Sequence, residues 1–169
     1  ADIVFVDADG RPEGAMAPSS EWRFHHDILA TRGDIDAVVH THAVHATALA
    51  CHGRAIPAFH YMIAVAGGDS IRCAPYATFG TRALSDHAVR ALDGRTACLL
   101  AHHGMIACGA SPERALALAV EVETLARQYL AALAIGEPAV LPAGEMARVL
   151  EKFATYGQTA RQGARTPSD

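Results

Sequence analysis

The sequence predicts a single α/β domain, because short apolar runs typical of strands alternate with amphipathic stretches typical of helices. The 169 residues match the size of one domain. Apolar residues make up 51% of the chain and charged residues 19%, which excludes an intrinsically disordered protein. No internal repeat or linker divides the sequence, which therefore predicts one shared core.

The first elements are expected to be a hairpin and a helix. Residues 2–6 are an apolar run that predicts a buried strand. An Asp-Gly turn signal over 7–10 leads to a second short strand over 13–17. A helix is expected over 18–33, where apolar residues recur at helical spacing.

The rest of the chain continues this alternation. Further strands are expected over 38–43, 97–101 and 105–107, and further helices over 46–51, 85–92, 111–136 and 145–153. The pair Gly67-Gly68 predicts a turn, and Pro112 is expected at the first position of the long helix. Residues 158–169 form a polar tail, so the folded domain is expected over 1–157.

Charge and cysteine content exclude several classes of protein. Fourteen basic residues against 18 acidic ones give a net charge of −4, which argues against a nucleic-acid partner. The four cysteines form no C-x-x-C pair and are expected to be reduced and mostly buried. The most apolar stretch, 115–135, carries three charged residues and predicts a core-facing helix rather than a membrane span. No signal-like segment opens the sequence, and a cytoplasmic location is expected.

Two histidine motifs carry the strongest chemical signal. His40 and His42 are two apart on a predicted strand, so their imidazoles point to the same face, where one metal ion can bind both. Paired structural histidines are the alternative interpretation of this motif. A second strand leads into His102-His103-Gly104, where the glycine is expected to permit a tight turn.

Either histidine of the second motif could complete a set of three nitrogen ligands. Such a set leaves a coordination position open, as in a catalytic zinc site. The remaining histidines are expected at the surface or around the site: His25, His26, His45, His52, His60 and His87.

The segment Ser19-Ser20-Glu21 precedes the first helix and has two interpretations. Either serine can cap that helix, with Glu21 as a favourable acid in its first turn. Alternatively, the free N–H groups of the helix bind a phosphate, and the neighbouring carboxylate acts as a base. The local sequence does not decide between them.

Six segments taken together resemble the zinc-dependent class II aldolases over residues 2 to about 157. They are PSSEWRFH (18–25), VVHTHAVH (38–45), HYMIA (60–64), CAPYATFGT (73–81), HHGMIAC (102–108) and EKFATYG (151–157). The resemblance implies one α/β domain with a mixed or antiparallel central sheet flanked by helices.

The resemblance also implies a zinc site with one Zn²⁺ per subunit. Its histidine ligands fall on His40, His42 and His103, whereas His102 is a neighbour that does not bind the metal. Glu21 matches the carboxylate that binds zinc at rest and then works as the acid/base group.

Further residues are implied to bind or protonate the substrate. Ser19 and Ser20 match the serines that hold its phosphate. Tyr61 matches a tyrosine that reaches into the adjoining subunit's site of a homotetramer, with the aromatic Phe79 beside it. Tyr156 matches a C-terminal tyrosine that protonates the aldehyde oxygen.

The implied activity is a lyase reaction of carbohydrate (fucose) metabolism. A ketose 1-phosphate such as L-fuculose 1-phosphate is cleaved reversibly, through an enediolate, to dihydroxyacetone phosphate and L-lactaldehyde. The alternatives are an L-ribulose-5-phosphate 4-epimerase and a non-catalytic adducin-like interaction domain. The segment 60–64 lacks the acid that the epimerases carry, and the retained Glu21 and histidines argue against a binding module.

The family begins several dozen residues before the segment that matches residue 2. That part carries a Gly-Asn loop and a Thr-Gly loop, which complete the phosphate site. The chain is therefore expected to be N-terminally truncated.

Overall fold

A four-stranded mixed sheet lies at the centre of the computed structural model, which describes residues 3–155. Its strands are β1 (Ala37–Thr41), β2 (Arg72–Ala74), β3 (Ala97–Leu100) and β4 (Gly104–Gly109), in the order β1-β4-β3-β2. β4 runs antiparallel to both β1 and β3, whereas β2 runs parallel to β3. The α/β class and the mixed sheet predicted from the sequence are confirmed.

Within residues 3–155, five α-helices and one 3₁₀ helix surround the sheet. They are α1 (Trp22–Thr31), α2 (Val44–Cys51), the 3₁₀ helix Tyr61–Ala66, α3 (Arg82–Ala91), α4 (Pro112–Ile135) and α5 (Ala143–Thr155). The start of α4 follows the predicted chemistry, since Pro112 is its first residue and the Ser111 hydroxyl accepts from the N–H of Arg114 at 3.3 Å. Gly67 ends the 3₁₀ helix at a φ of +88°, as the glycine pair predicted.

Both faces of the sheet are buried, and each has its own core. On β3, Ala97 and Leu99 face a core shared with α2, α4 and the 3₁₀ helix, whereas Cys98 and Leu100 face a core shared with α1 and α3. This separation follows from the alternation of side chains along a strand. Ser85 of α3 donates its hydroxyl to an Asp27 carboxylate oxygen at 2.6 Å, which ties α3 to α1.

The sheet register brings the end of β1 next to the turn between β3 and β4. Thr41 pairs with Met105, and Leu100 pairs with Gly104. Because β1 and β4 are antiparallel, the last residues of β1 lie beside the first residues of β4. The two histidine motifs are therefore neighbours in space.

The predicted buried strand over 2–6 is wrong for the residues that the structure describes. Val6 makes one isolated bridge to Pro12, and the side chains of Ile3 and Phe5 are 73% and 68% exposed. A strand needs a neighbouring strand along its length, and among residues 3–155 the pairing of this segment is limited to residues 11–13. The second strand over 13–17 does not form either, although the turn at 7–10 does.

The predicted start of the first helix is also wrong. The helix begins at Trp22, one or two residues later than a cap at Ser20 or Ser19 implies, and Glu21 occupies its cap position. Neither Ser19 nor Ser20 caps it, and the Ser19 hydroxyl instead accepts from the N–H of Glu21 at 3.2 Å. Glu21 therefore precedes the first turn, and its carboxylate makes no capping hydrogen bond.

The cysteines were expected to be reduced and mostly buried, and the apolar stretch over 115–135 was expected to be a core-facing helix. All four cysteines are free, with Cys98 and Cys108 buried, Cys73 half-buried and Cys51 exposed. In the described part of the chain, no helix is both long enough and apolar enough to cross a bilayer.

Candidate metal centre

Four side chains converge where α1, β1 and the β3–β4 turn meet. Glu21 comes from the start of α1, His40 and His42 from the end of β1, and His103 from the turn. One possible ligand atom from each lies within 4.8 Å of the others. The strand alternation that predicted a shared face for His40 and His42 therefore accounts for half of the cluster.

The closest approaches are between nitrogen and oxygen atoms that can bind a metal. The Nε2 atoms of His40 and His42 are 3.1 Å apart. The two carboxylate oxygens of Glu21 lie 3.1 Å from Nε2 of His40 and 2.9 Å from Nε2 of His103. The donor atoms thus surround one point instead of pairing off separately.

The hydrogen bonding of His40 determines which of its two ring nitrogens carries the proton and which directs a lone pair at the cluster. Its Nδ1 lies 2.9 Å from the carbonyl oxygen of Met105, which can only accept, so Nδ1 carries the proton. Burial lowers the pKa of His40, which favours the neutral ring at neutral pH. Nε2 therefore presents a lone pair to the cluster, the state in which imidazole binds metals.

His103 and Glu21 complete the set of donor groups. Burial lowers the pKa of His103, which again favours the neutral imidazole. Oxygen Oε1 of Glu21 is buried and accepts no hydrogen bond, although it lies 2.9 Å from Nε2 of His103. The Nε2 lone pair of His40 also faces a Glu21 carboxylate oxygen at 3.1 Å with no proton between them, and a cation between these atoms removes their repulsion. The residues present therefore fit a divalent metal ion that prefers imidazole and carboxylate ligands.

The glycine after the histidine pair is needed for space instead of for a tight turn. The residue with a positive φ in this turn is His102, at +56°. A Cβ added at Gly104 would lie 2.6 Å from the carbonyl oxygen of Thr41 and 2.9 Å from Cδ2 of His42. The expected role of Gly104 in the turn is thus corrected: its missing side chain lets β4 approach β1 directly beside the cluster.

A cavity of about 350 Å³ borders three of the four groups, Glu21, His42 and His103. We call it the site cavity; it is lined by Ser20, Glu21, His42, Tyr76, Ala77, Phe79, His102 and His103. Of the residues expected to act on a substrate, it brings together Ser20, Glu21 and Phe79.

The other expected residues lie elsewhere. Ser19 lines a different cavity beside Trp22. Tyr61 is 51% exposed and lines a third cavity with Phe153. Tyr156 lies outside the described residues.

Two features of the site were not found in the sequence. The ring of Tyr76 meets the ring of His102 edge-on at 5.9 Å, and together they form one wall of the site cavity. The carbonyl of Met105 orients His40. Tyr76 and Met105 lie within segments that carry the resemblance, but sequence spacing does not show where a ring or a carbonyl points.

Comparison with known proteins assigns the chain to a family. Residues 1–130 match the family described as the Class II Aldolase and Adducin N-terminal domain. The chain belongs to this family. The class II aldolases of the family are typically zinc-dependent, which agrees with the donor set of the cluster.

The relatives of this class II aldolase include two differently named enzymes. It is 64% identical over 160 residues to 5-methylthioribulose-1-phosphate/5-deoxyribulose-1-phosphate aldolase of Rhodospirillum rubrum, covering 95% of this chain and 72% of the relative. It is 60% identical over 156 residues to L-fuculose phosphate aldolase of Escherichia coli K12, covering 92% of this chain and 73% of the relative. The protein is therefore an enzyme of the class II aldolase type.

A solved structure agrees with this assignment. An L-fuculose 1-phosphate aldolase superimposes with a TM-score of 0.87 at 47% identity, covering 90% of this chain and 72% of the other. The sheet and helices described above are thus those of a class II aldolase.

The close approach at Gly104 gives a direct test of the site geometry. In Gly104→Ala, the new Cβ forces β1 and the His42 ring away from β4, so we expect loss of bound zinc and a lower melting temperature. Zinc content and thermal unfolding measure the two effects.

Gly144→Ala is the matched control, because a Cβ at Gly144 meets nothing within 4 Å. Gly144 lies in α5, where alanine favours the helix by about 0.5–1 kcal/mol. Full zinc binding by Gly104→Ala would contradict the close approach.

Proposed function

We propose that this class II aldolase uses one Zn²⁺ to cleave a ketose 1-phosphate reversibly into dihydroxyacetone phosphate and a small aldehyde. The observation that carries the proposal is the Glu21 carboxylate, which lies among three imidazoles and borders the site cavity. Three histidine ligands and a carboxylate that substrate can displace leave a coordination position open, as catalytic zinc requires. The proposed ligands are His40, His42, His103 and, at rest, Glu21.

The bound metal would supply a Lewis acid that polarises the carbonyl oxygen of the substrate. All proton transfers would then be carried out by side chains of the enzyme.

Glu21 is the proposed acid/base group. In the cleavage direction, the bond between C3 and C4 breaks and its electron pair stays on C3, which must then gain a proton. The C4 hydroxyl loses its proton and becomes the aldehyde. Glu21 borders the site cavity, so its carboxyl group can deliver the proton to C3 and recover it in the reverse reaction. Tyr156 is proposed to exchange the proton of the C4 oxygen.

Ser19 and Ser20 are proposed to bind the substrate phosphate. Both precede α1, and Ser20 borders the site cavity. No side chain caps the start of α1, and the N-terminus of a helix attracts anions. The phosphate would thus be held on the same side of the cavity as Glu21.

The aromatic residues are assigned by the resemblance. Phe79 is proposed to contact the aldehyde half of the substrate, because it is exposed along the site cavity. Tyr61 is proposed to act in the adjoining subunit of a homotetramer; its exposed ring lies outside the site cavity of its own chain. We further propose a cytoplasmic enzyme whose aldolase domain covers residues 1–157, followed by a polar tail.

Three substrates are candidates for this site. L-fuculose 1-phosphate is supported by the relative of 60% identity, and 5-methylthioribulose 1-phosphate or 5-deoxyribulose 1-phosphate by the relative of 64% identity. These ketose phosphates share the half that becomes dihydroxyacetone phosphate. They differ in the aldehyde half.

A substrate panel tests the proposed reaction. We expect the zinc-loaded protein to release dihydroxyacetone phosphate from all three ketose 1-phosphates, because their phosphate halves are the same. Small apolar differences in the aldehyde half are worth about 1–3 kcal/mol, so kcat/KM should differ by about 10- to 200-fold.

The release of dihydroxyacetone phosphate is followed with a coupled dehydrogenase. L-ribulose 5-phosphate is included as the epimerase substrate. If the loaded enzyme epimerises this pentulose and releases no dihydroxyacetone phosphate from any ketose 1-phosphate, the aldolase reaction is wrong.

The substitution Glu21→Gln tests the role of the carboxylate. The amide cannot accept the proton, so we expect kcat to fall by about 10²–10⁴-fold. Zinc should stay bound, because three imidazoles remain. The cleavage rate and the zinc content are measured on the same sample.

Glu113→Gln is the matched control, because Glu113 is an exposed acid in the first turn of α4. It should leave turnover unchanged. Near wild-type turnover in a zinc-loaded Glu21→Gln enzyme would remove Glu21 from the mechanism.

A further inference from the structure

The proposed metal ligands differ in the hydrogen bonds that hold them in place. His40 is held by the Met105 carbonyl, and the backbone N–H of His103 donates to the Leu100 carbonyl at 3.0 Å. His42 is the one exposed member of the cluster. Within residues 3–155 its Nδ1 makes no hydrogen bond, so its position depends on the backbone that carries it.

That backbone leads directly into α2, whose N-terminus lacks a local cap. Ala43 occupies the cap position and has no side chain that can accept a hydrogen bond. Free N–H groups at a helix start need an acceptor when they are shielded from water. For α2 the acceptor comes from a different helix.

The acceptor is the carboxylate of Glu123, in the middle of α4. Its oxygens accept from the backbone N–H of His45 at 2.9 and 3.1 Å and from that of Ala46 at 2.9 Å. The imidazole Nδ1 of His45 lies 2.7 Å from Oε1 of the same carboxylate. Three donors of the first turn of α2 thus bind one side chain.

Glu123 is itself on a rigid support. Its neighbours Val122 and Leu125 are fully buried in the core that α4 shares with α2. The carboxylate therefore ties the start of α2 to the middle of a 24-residue helix. The tie lies three residues along the chain from His42.

We propose that Glu123 is a positioning residue for the metal centre. By fixing the first turn of α2 against α4, it holds the corner between β1 and α2 on which His42 stands. The proposal rests on the metal centre described under Proposed function. It assigns to a charged residue of the core-facing helix a role that its sequence context does not indicate.

Zinc affinity measured by chelator competition tests the proposal. Residues that orient metal ligands typically cost about 10–100-fold in affinity when they are replaced. We expect at least about a 10-fold loss in Glu123→Ala and a smaller loss in Glu123→Gln, which keeps one acceptor oxygen. The visible spectrum of the Co²⁺-loaded variants should also change, because the position of His42 sets the geometry of the ion.

Glu121→Ala is the matched control on the same helix. It removes the same type of side chain two residues earlier, and Glu121 borders a different cavity, beside Met62 and Arg114. We expect this variant to have the zinc affinity of the wild type and the same visible spectrum when it is loaded with Co²⁺.

A second variant separates helix capping from positioning. Ala43→Ser in the Glu123→Ala background supplies a local cap, which is typically worth about 1 kcal/mol. We expect the zinc-free double variant to regain stability towards urea but not zinc affinity, because the tie to α4 is still missing.

The outcomes distinguish this proposal from the proposed function. Wild-type zinc affinity in Glu123→Ala, or in Glu123→Gln should the alanine variant not fold, would overturn the positioning role and leave the metal centre standing. So would a recovery of zinc affinity in step with stability in the double variant. If the wild-type protein itself binds no zinc, the metal centre and the positioning role both fail.

Discussion

The buried contact between the Glu21 carboxylate and neighbouring imidazole nitrogens is the interaction on which the site depends. The Glu21 side chain is only 15% exposed, and burying a charge of this kind is costly without a partner. Because His40 directs a lone pair at the carboxylate, a cation gives the cluster a stable arrangement. Most other features of the site serve to bring these groups to one point.

The fold meets this requirement through backbone geometry. The antiparallel register of β1 and β4 places the two histidine motifs side by side. Gly104 has no side chain that would separate them. Glu21 stands at the start of α1, which Asp27 joins to α3 through Ser85. On the opposite face of the sheet, Glu123 ties the start of α2 to α4. Elements from both cores thus contribute to one centre.

The sequence predicted the features that depend on neighbouring residues. It did not predict those that depend on contacts between residues far apart in the chain. The spacing of His40 and His42 was sufficient to place both on one face, and the resemblance selected His103. The apolar run at 2–6 predicted a strand, but a strand also needs a neighbour that no periodicity reveals. The capping interpretation placed Glu21 within the first helical turn, whereas the resemblance made it a metal ligand, and its carboxylate lies beside the histidines. Glu123 was visible only as a charge on a core-facing helix, since its partners are more than 70 residues away.

The central claim is that three imidazoles and one carboxylate bind a single metal ion, and X-ray absorption at the zinc edge tests it most directly. The zinc-loaded protein should bind one equivalent, with nitrogen and oxygen ligands at about 2.0–2.1 Å and the scattering pattern of three imidazole rings. In His42→Ala, the spectrum should lose one imidazole, whereas His52→Ala should leave it unchanged because His52 is an exposed residue at the end of α2. A spectrum without imidazole scattering, or one that His42→Ala does not alter, would contradict the account.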